Sequence, residues 1–184
     1  MVNITARINA RKIVLSYIYE YCFFYKLKSQ GNTIKEILFI DNVFASQEEK
    51  FENEKKTFFE SIDWYLKSDF DNIYYYVDRF FDKRNKDDID FSYIEEFNLD
   101  LGKYQLEIEN LVNQHTKSFS FDQMDSIDQA IFILWYIERK KLKTGKEILL
   151  NELIELSKRY ADDWSSKLIN WIMHNIYSSF ENLN

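Results

Sequence analysis

Between Met124 and Ile176 three apolar stripes follow one another at three- and four-residue spacing, separated by two short polar turns. The first runs through Ile127, Ala130, Ile131, Leu134 and Ile137, and the second through Leu149, Leu150, Leu153, Leu156 and Tyr160. The third takes in Trp164, Leu168, Trp171, Ile172, Asn175 and Ile176. Apolar residues recurring at that period mark one face of an amphipathic helix, so three consecutive helices are expected, with Trp164 and Trp171 in the core.

The same period organises the rest of the chain. Ile13, Val14, Tyr17, Ile18 and Tyr21 predict a helix over Ile8–Phe24, ended by the Ser29-Gln30-Gly31-Asn32 break. Thr33 to Glu36 is a capping-box pattern opening a helix with Ile34, Ile37, Leu38 and Phe44. Phe51, Phe58, Ile62 and Tyr65 predict a helix from Gln47 to Leu66. Phe70, Ile73, Tyr74, Val77, Phe80 and Phe81 form a further stripe, capped by Asp69 or Asp71, with Tyr74 in the core and Tyr75 and Tyr76 partly exposed. Asp82–Asp90 reads as a linker, charged and without apolar periodicity. A capping box at Ser92–Glu95 then opens one long helix through Ile94, Phe97, Leu101, Tyr104, Ile108, Leu111 and Val112. Ser120 or Asp122, Thr144 and Asp162 or Asp163 are the expected caps of the three C-terminal helices. No strand alternation persists, so the expectation is all-α, with seven or eight helices.

Composition supports this. The chain has 184 residues, no proline and three glycines, which suits long helices; its hydrophobic content of 46% is enough for one substantial core. Cys22 is the only cysteine and there are two histidines, so no disulfide and no metal set follow, and Cys22 is read as a buried structural thiol. His115 and His174 stand apart from any nucleophile pattern, and no phosphate loop occurs; the reading is non-enzymatic, with no cofactor. The N-terminus lacks a signal-peptide core and no apolar run approaches a bilayer span, which predicts a cytoplasmic, membrane-free protein.

Net charge is −7 but unevenly spread. Residues 1–40 carry six Lys/Arg against two acids, 41–100 eight against seventeen, and 101–184 ten against twelve. The acidity therefore sits in the middle, which leaves room for a nucleic-acid surface elsewhere. Arg139, Lys140, Lys141, Lys143 and Lys146 are the densest basic cluster, at the end of a predicted helix where cations complement free carbonyls.

An ordered set of residues resembles the NusB family of small helical proteins. At the N-terminus Ala10-Arg11, Val14 and Ile18-Tyr19 match in register, with Arg7 at an upstream arginine position. In the C-terminal half Ala130, Ile131, Leu134 and Glu138 fit one helix, Asn151-Glu152, Glu155-Leu156 and Lys158 the next, and Ser165, Lys167 and Asn170 the last. The resemblance covers residues 4–25 and 105–176 and leaves residues 31–100 as an enlarged helical insertion in a single domain, 1–184. It departs from the family's pattern at Gly145, Ala161, Trp164 and Trp171, and the arginine run is thinned to Arg7, Arg11 and Lys12.

That resemblance implies a NusB-like helical bundle and a role in transcription antitermination and rRNA synthesis. It implies binding of single-stranded, rRNA leader-type RNA together with the ribosomal protein NusE and the transcription complex, and leaves room for a homodimer. Carried over by position, Arg7, Arg11, Lys12 and Lys167 are the expected RNA contacts, and Asp122 and Asp128 the expected partner contacts. Trp164 and Leu168 fall near the corner where the family meets RNA. Two other readings stay open. One is a protein–protein adaptor on the same fold that has lost RNA binding. The other is a free-standing relative of the NusB-like domains fused to rRNA methyltransferases.

Overall fold

The computed structural model describes residues 3–29, 48–67, 73–80, 87–97 and 101–181. Among them lie eight α-helices: α1 (Ile4–Ser29), α2 (Glu48–Lys67), α3 (Ile73–Phe80), α4 (Phe91–Glu95), α5 (Leu101–His115), α6 (Ser126–Ile137), α7 (Lys146–Tyr160) and α8 (Asp163–Glu181). A 3-10 turn at Phe121–Gln123 precedes α6, and a π-helical turn at Glu138–Leu142 follows it. Among the described residues there is no strand, as the patterning predicts.

Helix α6 is the centre. Ala130 through Trp135 are all at most 1% exposed, so it is surrounded on every side. Its main partner is α1, whose predicted stripe of Ile13, Val14, Tyr17, Ile18 and Tyr21 is buried together with Cys22. Burial pushes the Cys22 thiol well above its ordinary pKa, leaving it an inert core group. The pair is flanked by α3 and α4 against α1, α5 and α7 against α6, and α8 against α7 and α5.

Several local expectations need correction. Helix α1 begins at Ile4 rather than Ile8, because the Asn3 side chain accepts hydrogen bonds from the N–H groups of Thr5 (3.1 Å) and Ala6 (3.4 Å). Helix α3 buries Ile73, Tyr76 and Val77, while Tyr74 and Tyr75 are exposed. Ile73, Tyr76 and Val77 are three and four apart, whereas Tyr74 is turned about 100° from Ile73. The Thr33 capping box and its helix, and the caps at Asp69 and Asp71, lie outside the described residues.

The single long helix over residues 92–112 is two, α4 and α5. Asp90, not Ser92, caps α4, accepting from the Tyr93 N–H at 3.0 Å. Residues 87–90 are no loose linker: the Asp90 N–H donates to the Ala6 carbonyl at 3.2 Å, and Asn9 donates to the Asp88 carbonyl at 3.1 Å. Ile73, Val77, Ile89, Tyr93, Ile94 and Phe97, all within the segment read as inserted, are part of the main core.

Helix α6 takes Asp125 at its N-cap position, not Ser120 or Asp122, and α7 takes Gly145, not Thr144. Trp164 and Trp171 are not core residues; they are 69% and 51% exposed. The buried face of α8 is instead Ser165, Ile169, Ile172, Met173 and Ile176, and the tryptophans lie on another flank of the helix.

Candidate binding sites

The N-terminal arginines turn out to do different things. Arg11 is 5% exposed and its guanidinium faces inward. It donates from Nε to Glu138 Oε2 at 3.0 Å, from Nη2 to Glu138 Oε1 at 2.7 Å, and from Nη1 to Glu152 Oε2 at 2.9 Å. Glu138, fully buried, also accepts from the Tyr93 hydroxyl at 2.8 Å and from Thr144 Oγ1 at 3.0 Å. Burial works against the Arg11 charge, but Glu138, Tyr93 and Glu152 outweigh it and hold the guanidinium more firmly protonated than usual. Burial and the Glu138 carboxylate together raise the Tyr93 hydroxyl, so it stays a donor. Glu138 thus accepts four hydrogen bonds, and Arg11 gives three of its five N–H donors to protein carboxylates. Arg11 is therefore a structural clasp of α1 on the α6–α7 junction, its guanidinium turned to protein carboxylates at the position where phosphate contact was expected.

Arg7, one turn earlier, also reaches the Tyr93 ring, as Arg11 does at 5.8 Å. Its Nε donates to Asp90 Oδ2 at 2.8 Å and its guanidinium carbon lies 4.7 Å from the Tyr93 ring centroid. The side chain keeps 23% of its surface in solvent, so one edge of the fork is available. Lys12, five residues on, points away from Arg7 by more than a right angle. No described acid pairs with it. Lys12 lines a pocket of about 250 Å³ with Leu15, Ser16, Tyr19, Ile127 and Tyr160, between α1, the start of α6 and the end of α7.

A second pocket, of about 260 Å³, lies between the start of α6 and the start of α8. Asp125, Asp128, Asp162, Gln123 and Ser165 supply its polar wall, and Phe119, Met124, Trp164 and Leu168 its apolar wall. Asp128 is 4% exposed; its Oδ2 accepts from Ser165 Oγ at 3.0 Å, while Oδ1 is buried with no donor. Burial, with a smaller push from Asp125 and Asp162, raises the Asp128 carboxyl to about 6. Near neutral pH this is a carboxylate held where solvation is poor and a cation is welcome. Asp122, the other expected partner residue, lies outside the pocket; it is exposed and accepts from the Ser120 hydroxyl.

Lys167 is exposed on α8. It lies three residues from Trp164 and four from Trp171, so all three share a flank. No described contact joins Lys167 to Arg7. The four expected RNA residues are thus held in different settings: Arg11 is internal, Arg7 faces α4, Lys12 faces the first pocket and Lys167 is exposed on α8. Sequence reasoning missed Asp125 and Asp162 as pocket walls and Glu138, Glu152 and Tyr93 as the clasp. The Arg11–Glu138 pairing spans 127 residues, and helical periodicity carries no signal at that range.

Comparison with known proteins gives this arrangement a relative. The model of the NusB family matches residues 62–178, well over half of the chain. The chain belongs to the NusB family. The match begins within the 31–100 segment and does not extend to α1. Among curated proteins, the chain is similar to the transcription antitermination protein NusB of Staphylococcus epidermidis, with 28% identity over 96 residues, 52% of this chain and 74% of that protein. It is similar to the NusB of Bacillus subtilis strain 168, 29% identical over 80 residues, 43% of this chain and 61% of that one. The NusB of Methylacidiphilum infernorum is 27% identical over 100 residues, 53% and 68% of the two chains. Both pockets draw residues from the family-matched segment, and Lys12, Leu15, Ser16 and Tyr19 reach the first from α1. Among the described residues no helix is long and apolar enough to cross a membrane.

Proposed function

We propose that this NusB-family protein is a non-catalytic assembly component of the antitermination type, acting in the cytoplasm, which holds a basic protein partner and single-stranded RNA side by side. The observation that carries the reading is Asp128: a nearly buried carboxylate whose Oδ1 lacks a donor, in a pocket walled by Asp125, Asp162 and Trp164. Such a group is satisfied by a lysine or arginine from outside, with the aromatic and aliphatic wall taking the stem of that side chain. The ribosomal protein NusE is the partner that the family resemblance points to. Beside the pocket, Lys12 and Lys167 supply phosphate attraction, and exposed Tyr19, Tyr160 and Trp164 supply faces on which unpaired bases stack. Arg7 adds the free edge of its fork.

The test is a binding titration of short single-stranded A/U-containing RNA at about 0.1 M salt, with and without the ribosomal partner. Binding is expected to weaken steeply as salt rises and to fall about tenfold in Trp164→Ala. Asp128→Asn is expected to weaken the partner and leave RNA binding by the free protein unchanged. An RNA-independent adaptor is the second reading. It is favoured by the inward orientation of Arg11 and the Arg7–Asp90 pair. Partner binding that depends on Asp128, with no RNA binding at low salt, decides for the adaptor.

A further inference from the structure

The segment that joins α6 to α7 is built unlike an ordinary helix end. After Ile137 the helix widens into a π turn, Glu138–Leu142, and closes on Lys143 in the left-handed conformation (φ 52°, ψ 30°). Glu138 is drawn inward by Arg11, Tyr93 and Thr144. The residues that follow it are thereby thrown outward: Arg139, Lys140, Lys141 and Lys143 are all exposed. In a chain of net charge −7, Arg139 to Lys146 holds five cations and no acid. Lys140 is matched by Glu107 on α5. No described carboxylate pairs with Arg139, Lys141 or Lys143.

Complementing the carbonyls at the end of α6 accounts for cations in the last turn, where the effect is confined. It does not account for Lys143. A left-handed residue at a helix terminus is usually glycine, because a side chain there costs about 1 kcal/mol. Gly145, two residues on, takes an ordinary φ of −59°. A lysine thus stands in the conformation that glycine fits. Arg139 is placed in turn by Tyr177, whose ring centroid is 5.7 Å from the guanidinium carbon and whose hydroxyl accepts from Trp135 Nε1 at 3.0 Å.

From this we infer that the π turn is a second anion-binding surface, and that its ligand is the phosphodiester backbone of RNA extending beyond the segment held near Lys12 and Lys167. The inference rests on the RNA reading above. RNA is favoured over an acidic protein because the turn itself, Arg139 to Gly145, exposes no large apolar side chain; exposed Ile148 lies beyond it, on α7. A protein interface needs an apolar centre, whereas phosphate binding proceeds by charge alone.

The experiment compares wild-type protein with the Lys141→Ala, Lys143→Gly double variant, using a short single-stranded RNA and one about twice as long, across a salt series. The double variant is expected to fold at least as stably, since Lys143→Gly relieves the left-handed side chain. It is expected to bind the longer RNA about tenfold more weakly at 0.1 M salt, with the salt slope reduced by about 1.4 for two lost phosphate contacts. Binding of the short RNA stays unchanged. Unchanged affinity and slope for the longer RNA, with Lys12→Ala and Lys167→Ala still weakening it, overturn this proposal and leave the RNA reading standing. No RNA binding by wild type at any salt, alone or with the ribosomal partner, overturns both. Displacement of the longer RNA by polyglutamate at equal charge concentration overturns the assignment of RNA as the ligand.

Discussion

Arg11, Glu138 and Asp128 are charged residues with almost no exposed surface, and their environments set opposite outcomes. The Arg11–Glu138 pair is bidentate and supported by Tyr93, Thr144 and Glu152, so each charge is matched. Removing one member strands the other without water. Arg11→Ala or Glu138→Ala is expected to lower stability by about 3–5 kcal/mol in chemical denaturation, while Tyr93→Phe costs about 1–2 kcal/mol. Asp128 has no such match. Its carboxyl titrates near 6, above its value in the unfolded chain, so the folded state binds the extra proton. Its penalty is therefore absent below the unfolded carboxyl pKa and grows as pH rises through about 6. Asp128→Asn is expected to stabilise the free protein by about 1–2 kcal/mol at pH 8 and to leave it unchanged at pH 4, measured by denaturation at both values. A stability gain coupled with weakened partner binding is what a functional carboxylate produces. Equal stability of the two proteins at pH 8 counts against the pocket reading.

At the scale of the helix, the apolar stripes predicted the elements well and their orientation less well. In α1 the whole predicted stripe is buried; in α6 Ala130, Ile131, Leu134 and Ile137 are buried and Ile127 partly so, and Phe132, Ile133 and Trp135 are buried as well because the helix is surrounded. In α8 the aromatic positions misled. Trp164 and Trp171 are seven apart and read as a core stripe, yet Ile169, Ile172, Met173 and Ile176 hold the buried face. Large aromatics weigh heavily in a pattern, but burial follows whichever face the neighbouring helix meets. Trp171→Ala is accordingly expected to change stability by less than about 1 kcal/mol, whereas Ile172→Ala costs about 2–5 kcal/mol. Thermal melts of the two variants check the order. Cap positions were read from three- and four-residue motifs, and the residues at the N-cap positions of α4, α6 and α7 are Asp90, Asp125 and Gly145, of which only Asp90 caps with its side chain. Thr144 is drawn away from capping by Glu138, a competitor that no local motif contains.

Across the whole molecule the family-matched residues 62–178 do not contain the core's first element. Helix α1 contributes Ile13, Val14, Ile18 and Cys22, and it brings the cation that neutralises the buried Glu138. A fragment limited to residues 62–178 is expected not to fold, leaving apolar surface on α6 and an unpaired buried charge. Dispersed amide resonances in that fragment would contradict this, while the full chain is expected to unfold in one cooperative step.

Helical content, the number of elements, the chief buried stripes and the family likeness follow from local spacing, because a 3.6-residue period needs no knowledge of the rest of the chain. The candidate sites do not. Arg7 and Arg11 share a helix face in sequence terms, and only the approach of α4, α6 and α7 separates them, turning one toward Asp90 and the other onto Glu138. In sequence Asp162 reads as a cap, Asp128 as a partner contact, and Asp125 carries no signal; packing α8 beside the start of α6 gathers them around one pocket. The sequence by itself determined a NusB-type helical scaffold. Which of its charges face solvent was decided by tertiary structure, because burial and pairing depend on contacts between residues 37 to 141 positions apart, beyond the reach of helical periodicity.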